Sequence, residues 1–163
     1  MSFLIMHQTQ PTAITCFSTC LAMIKALPAG LVVDQLHVQY FGGTMSMRQA
    51  LNLQEIPFES FDTCDLPLFD RDGVYLVAVP SLNRPGGLHQ ILVECYDGIM
   101  VVLDPAAGRP DSKYYVAALT EGFDNEVKLC GYFVDAFIPR AYLLSRYRPV
   151  NTSSAGRHPL LYK

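Results

Sequence analysis

Leu88-His-Gln-Ile-Leu-Val-Glu-Cys-Tyr-Asp-Gly-Ile-Met-Val-Val-Leu-Asp104 holds two apolar runs separated by Asp97-Gly98. Aspartate followed by glycine suits the two left-handed positions of a tight hairpin turn. Leu88 to Tyr96 and Ile99 to Leu103 therefore read as an antiparallel pair. Counting back across that ladder sets position 104 near position 91. His89 and Asp104 then fall at the same open end of one hairpin, within reach of a side-chain hydrogen bond. A carboxylate there would fix the tautomer and orientation of the imidazole. As an isolated dipeptide, Asp104-Pro105 would read only as the opening of a turn.

Working outward, Gly73 to Val79 is a strong strand ended by Pro80, and Tyr132 to Ile138 is another. Ile56 to Phe61 alternates and leads into an acidic loop, Asp62 to Asp65, while Lys113 to Thr120 reads as helical. The N-terminal half has a different period. Cys16 to Leu27 is apolar on most faces, as in a helix buried mid-domain, with Thr15 as its candidate N-cap and Pro28 and Gly30 ending it. Val32 to Phe41 reads as a second helix closed by Gly42-Gly43. Ser46 suits the cap of a third, running through Leu53 with Met47, Ala50 and Leu51 inward. Residues 2–7 suit a short edge strand before a turn at Gln10-Pro11. Helices first and an antiparallel sheet after them make an α+β layout. No repeat or linker divides the chain, so one domain is expected over residues 1–148. From Arg148 onward Pro, Ser, Gly and Asn dominate, and residues 149–163 read as a poorly ordered tail.

Half of the 163 residues are apolar and 17% are charged, which supports a substantial core and argues against disorder for most of the chain. A net charge of −3 without a Lys/Arg cluster argues against nucleic acid as a partner. Arg140, Arg146, Arg148 and Arg157 are spread along the C-terminal stretch and read as solvated surface. The first residues lack the basic start of a signal peptide, and no apolar run approaches the ~20 residues that span a bilayer. A cytoplasmic protein with no membrane partner is expected, with export as an effector left open. Five cysteines at wide spacing, Cys16, Cys20, Cys64, Cys95 and Cys130, do not resemble a disulfide framework.

Cys16 opens its helix, and a helix N-terminus lowers a thiol pKa and favours the nucleophilic thiolate. Taken alone it reads as a small buried hydrophobe. His89, beside the Gly86-Gly87 loop, could take the thiol proton and return it to a leaving group. His7, His37 and His158 are weaker candidates. Gln10, six residues before Cys16, could join the Cys16 N–H in an oxyanion hole, with Gln8 as a competitor. Cys16 and Cys20 stand one helical turn apart but lack the further ligands zinc requires, so Cys20 reads as core packing. Asp62, Asp65, Asp70 and Asp72 fit no calcium loop. Tyr114, Tyr115, Tyr132 and Phe133 read as core rather than a nucleotide-stacking platform.

Gln10-x5-Cys16, the following Leu21-Ala22-Met23-Ile24, Gly87-x-His89-x-Ile-Leu-Val and Val102-Leu103-Asp104-Pro105 together resemble papain-like cysteine peptidases. They resemble more specifically the double-glycine leader peptidases that process bacteriocin precursors, with their stand-alone relatives. The likeness covers residues 8–138, including Gly42-Gly43-Thr44-Met45-Ser46 before the third helix. It implies a papain-like fold with a nucleophile helix packed on an antiparallel sheet. It also implies Cys16 as nucleophile, His89 as base, Asp104 as orienting partner and Gln10 in the oxyanion hole. The implied activity is cleavage of a peptide or protein substrate by a bacterial or phage enzyme, without cofactor or metal. Where the family commonly has Asp-Cys-Gly, this chain has Thr15-Cys16-Phe17, which sets a large ring beside the nucleophile. No phosphate-binding glycine loop accompanies the motifs. The same thiol chemistry would also serve a side-chain deamidase, a transglutaminase-like effector acting on a host protein, or a peptidoglycan amidase. An inactive binding or inhibitor module of the same fold is the remaining alternative.

Overall fold

The computed structural model describes residues 2–61 and 68–147. In chain order the elements are α1 (Cys16–Lys25), α2 (Ala29–Phe41), α3 (Met47–Leu53), β1 (Glu59–Ser60), β2 (Gly73–Pro80), β3 (Leu88–Tyr96), β4 (Ile99–Leu103), β5 (Tyr114–Val116), β6 (Glu126–Lys128), β7 (Phe133–Pro139) and α4 (Arg140–Ser145). The main sheet has the order β1-β7-β2-β3-β4 with every pair antiparallel, giving an α+β protein. β5 and β6 form a separate parallel pair.

The β3–β4 hairpin sets the site. Asp97 and Gly98 have φ of 52° and 74°, so both turn residues are left-handed. That pattern matches the right-handed twist of the strands and fixes their register. Leu92 faces Leu103 and Tyr96 faces Ile99. β2 lies on the other side of β3, with Val79 opposite His89. Val74, Leu76, Leu92, Ala136 and Ile138 present one sheet face to α1 and the neighbouring helices. Tyr75, Val77, Ile91, Val93 and Phe137 build a second core on the other face with Tyr115 and Leu129.

Several local readings are corrected. Residues 2–7 join no ladder; Leu4 and Ile5 instead donate their N–H groups to the Glu94 carboxylate at 2.6 and 3.0 Å. α1 stops at Lys25 because Ala26 turns left-handed (φ 54°), and the N–H groups of Ala26 and Leu27 bond back to Met23 and Ala22. α2 begins at Ala29, before the expected Val32, because Pro28 takes the N-cap position and Gly30 lies inside the first turn. Within 113–120 the structure has strand β5, not a helix. Tyr114-Tyr115-Val116 has strand propensity, and its pairing with β6 decides the outcome. β6 and α4 were not anticipated. The acidic loop 62–65, Cys64, Arg148, Arg157, His158 and the expected tail lie outside the described residues. Among the described residues no helix is long and apolar enough to cross a membrane.

Arg140 and Arg146 also depart from the solvated reading. Arg140 is buried, donates to the Ser2 carbonyl at 2.9 Å and lies 3.9 Å over the Tyr96 ring. Arg146 donates to the carbonyls of Met23, Ile24 and Leu4. Neither role has a local sequence signature, because Tyr96 stands far from Arg140 along the chain and these carbonyl partners of both arginines lie more than a hundred residues away.

Candidate active site

Cys16 is the first residue of α1, and the helix presents it with its N-terminal donors unspent. Thr15 stands at the N-cap, yet its hydroxyl makes no capping bond. It accepts the Thr12 N–H at 3.0 Å and donates to the Thr12 carbonyl at 3.1 Å. The first backbone bond into the helix runs from Thr19 N–H to Thr15 O at 3.0 Å. The N–H groups before it therefore keep their positive ends for the thiol and for whatever approaches it. At the other end, the Arg146 guanidinium meets the last carbonyls of α1. A group able to become anionic sits at the positive end and a cation at the negative end.

His89 and Asp104 meet as the hairpin register requires. The His89 Nε2–H donates to Asp104 Oδ1 at 2.6 Å, in a contact buried on both sides. Asp104 Oδ1 also accepts the Ala106 N–H at 2.8 Å, and Oδ2 accepts the Tyr115 N–H at 2.7 Å. The carboxylate is thus held by a strand on one side and by its own turn on the other. With Nε2 engaged, Nδ1 is the ring nitrogen left for the Cys16 thiol.

The electrostatics of the two groups are mutual. Burial pushes the Cys16 thiol up, but hydrogen bonding to His89, the imidazolium charge and the Gln90 and Phe17 N–H groups together hold it below its ordinary value. Burial pulls His89 down, but hydrogen bonds to Asp104 and Cys16, with their charges, push it up to about 9. A lowered thiol beside a raised imidazole shifts the pair toward thiolate and imidazolium. Cys20 differs: burial pushes its thiol well up, and Sγ donates to the Gln90 carbonyl at 3.4 Å, as core packing requires.

Cys16 and His89 line a cleft of about 280 Å³ whose wall includes Phe17, Tyr40, Gln90 and Asp135. The Phe17 ring is stacked on Tyr40 at 3.8 Å and is only 4% exposed, so it walls the cleft and does not fill it. Gln10 is not brought into that lining. Its N–H donates to Pro105 O at 2.8 Å, its carbonyl accepts from Arg109, and its buried amide oxygen has no partner among the described residues. Gln8 is occupied elsewhere. Its amide spans the Leu27 carbonyl and the Ala29 N–H, which ties α1 to α2.

His7, a weaker candidate in the sequence, has a place at the site, and two further residues, Gln90 and Asp135, were missed there. His7 donates from Nε2 to the Asp104 carbonyl at 2.8 Å, which pins the catalytic-candidate turn to the N-terminal segment. Gln90 places its N–H on Cys16 and its amide on Asp135. Its position beside His89 was the available signal. Asp135 interrupts the otherwise apolar β7, and that polar residue inside a strand pattern was a signal as well. Phe133, read as core, is 58% exposed. No protein-family model, curated protein or solved structure matches the chain.

Proposed function

We propose that the protein is a papain-like cysteine peptidase that hydrolyses a peptide bond through Cys16, His89 and Asp104. The observation that carries this reading is the anchored Asp104 carboxylate. Two backbone N–H groups and His89 hold it, so the imidazole is oriented with one nitrogen left for the thiol. Such a carboxylate does not take the proton; it stabilises the imidazolium.

In the proposed reaction the Cys16 thiolate attacks the substrate carbonyl carbon, and the C=O electron pair moves onto oxygen. The free N–H groups at the start of α1 receive that oxyanion, each such donor contributing roughly 10²–10³ in rate. Gln10, whose amide oxygen is unpartnered among the described residues, is the further donor this reading assigns. The His89 imidazolium then gives its proton to the leaving amine as the C–N bond breaks. Water, deprotonated by neutral His89, attacks the thioester, releases the acid and restores the thiol.

The test combines chemical labelling with product analysis. Iodoacetamide should modify Cys16 at neutral pH far faster than Cys130, and Cys16→Ala should lose all turnover while keeping its thermal transition. Retained turnover in Cys16→Ala would overturn the proposal. New peptide N-termini are the expected product; ammonia without chain cleavage would assign the same thiol to side-chain amides.

A further inference from the structure

We propose that Asp135 makes the cleft beside Cys16 selective for a substrate bearing a lysine or arginine side chain close to the scissile bond. The inference rests on the thiol-hydrolase reading and adds a substrate class to it. It begins with an irregularity of the sheet. β7 pairs with β2 so that Leu76 faces Ala136 while Val77 faces Val134. Asp135 is the extra residue between them. A β-bulge of this kind re-aims one side chain, and here the re-aimed group is a carboxylate in the lining of the cleft.

That carboxylate is half satisfied. Oδ2 accepts the Gln90 Nε2–H at 2.6 Å, whereas Oδ1 has no hydrogen bond and Asp135 no ion-pair partner among the described residues. Burial pushes its carboxyl up, as expected for a shielded acid without a counter-ion. Tyr40 feels the same charge: burial and the Asp135 carboxylate are the leading causes that raise its phenol to about 12, so it stays a neutral wall. Arg84 also lines the cleft but forms no ion pair with Asp135.

The surroundings suit a long cationic side chain better than a small cation. Phe17 and the half-buried Tyr40 form a stacked wall, with Phe41 and Met47 beside them. An aliphatic stem would lie along those apolar surfaces while its charged head reached Oδ1. Gln90 connects this position to the reacting centre: its side chain holds Asp135, and its backbone N–H reaches Cys16. The basic residue is therefore within a residue or two of the bond that is cut.

The test uses peptidyl acyloxymethyl ketones carrying lysine, norleucine or glutamate at the first or second position before the ketone. Cys16 modification is followed by mass spectrometry. In the wild-type protein a lysine label should react at least about ten-fold faster than its norleucine counterpart, and the glutamate label slowest. Asp135→Asn keeps an oxygen for Gln90, so it should react normally with norleucine and lose the lysine advantage. Equal lysine and norleucine rates in the wild type, with Cys16 modified, would overturn the inference and leave the hydrolase reading intact. Failure of every label to modify Cys16 faster than Cys130 would overturn both. The wild-type comparison decides the matter even if Asp135→Asn does not fold.

Discussion

Strand β3 contributes to two buried acid–base pairs, His89–Asp104 near its start and Glu94–Arg140 near its end, and the first opens onto a cleft. Both carboxylates are anchored alike. Asp104 accepts the N–H groups of Ala106 and Tyr115; Glu94 accepts those of Leu4 and Ile5. The partners differ. Arg140 stands 3.8 Å from Glu94, is covered by Tyr96 and Ser2, and carries a guanidinium that does not release its proton. His89 titrates, and its second nitrogen meets the Cys16 thiol. A buried acid is thus architecture when its partner is always charged and enclosed. It becomes a candidate for chemistry when the partner can exchange a proton with a neighbour in a cleft.

The largest expected effect falls on the closed pair. Glu94→Ala removes the acceptor of two backbone donors and strands a buried guanidinium, which should cost about 3–5 kcal/mol in a denaturation measurement. The pH dependence of Cys16 alkylation in the folded fraction should not move. A shift there would erase the distinction between the two pairs.

Asp104→Asn should destabilise by about 1–3 kcal/mol, because an amide turned to accept from His89 presents its own N–H to that of Tyr115. Its sharper consequence is in the pH profile. In the wild type, His89 titrates at about 9, above its ordinary 6.5. Its stabilising contribution is therefore complete below about 6.5 and lost as pH rises through about 9. Cys16, held below its ordinary 9.0, behaves in the opposite sense. Its contribution is complete above 9.0 and lost as pH falls through the lowered value. Hydrolysis should then follow a bell whose alkaline limb lies near 9. Asp104→Asn should draw that limb toward neutrality, and an unmoved limb would show that Asp104 does not govern His89.

The smallest effect belongs to Arg146→Gln. Loss of the cation at the end of α1 should cost about 1–2 kcal/mol in thermal or chemical unfolding. It should leave the alkylation profile nearly in place, since a helix-end charge acts mainly over its own turn. A large shift in Cys16 reactivity would mean that the far end of the helix tunes the thiol directly.

The part of the site nearest the hairpin was legible because its determinants are local. Asp97-Gly98 sets a turn, the turn sets the register, and the register brings Asp104 to His89. Thr15 and Cys16 were likewise readable as the start of a helix, although the Thr15 hydroxyl serves Thr12 and not the helix. The N-terminal segment was misread because residues 2–7 resemble an edge strand, whereas the Glu94 side chain replaces the ladder. β5 was misread as helix because its state depends on β6, a pairing no local pattern announces. Arg140 and Arg146 looked like surface charge because nothing near them in sequence names Glu94, Tyr96 or the carbonyls of α1. The bulge at Asp135 follows from the match between two strands more than fifty residues apart, which periodicity in either one does not encode.

The Arg146 contacts also bear on synthesis. A ribosome that has delivered Cys16 and His89 has not yet supplied Asp104, nor the guanidinium that closes the carbonyl end of α1. Cys16 is translated early, while the parts that orient His89 and seat α1 arrive tens to more than a hundred residues later. Order along the chain therefore delays the complete setting of Cys16 and His89 until most of the domain has emerged.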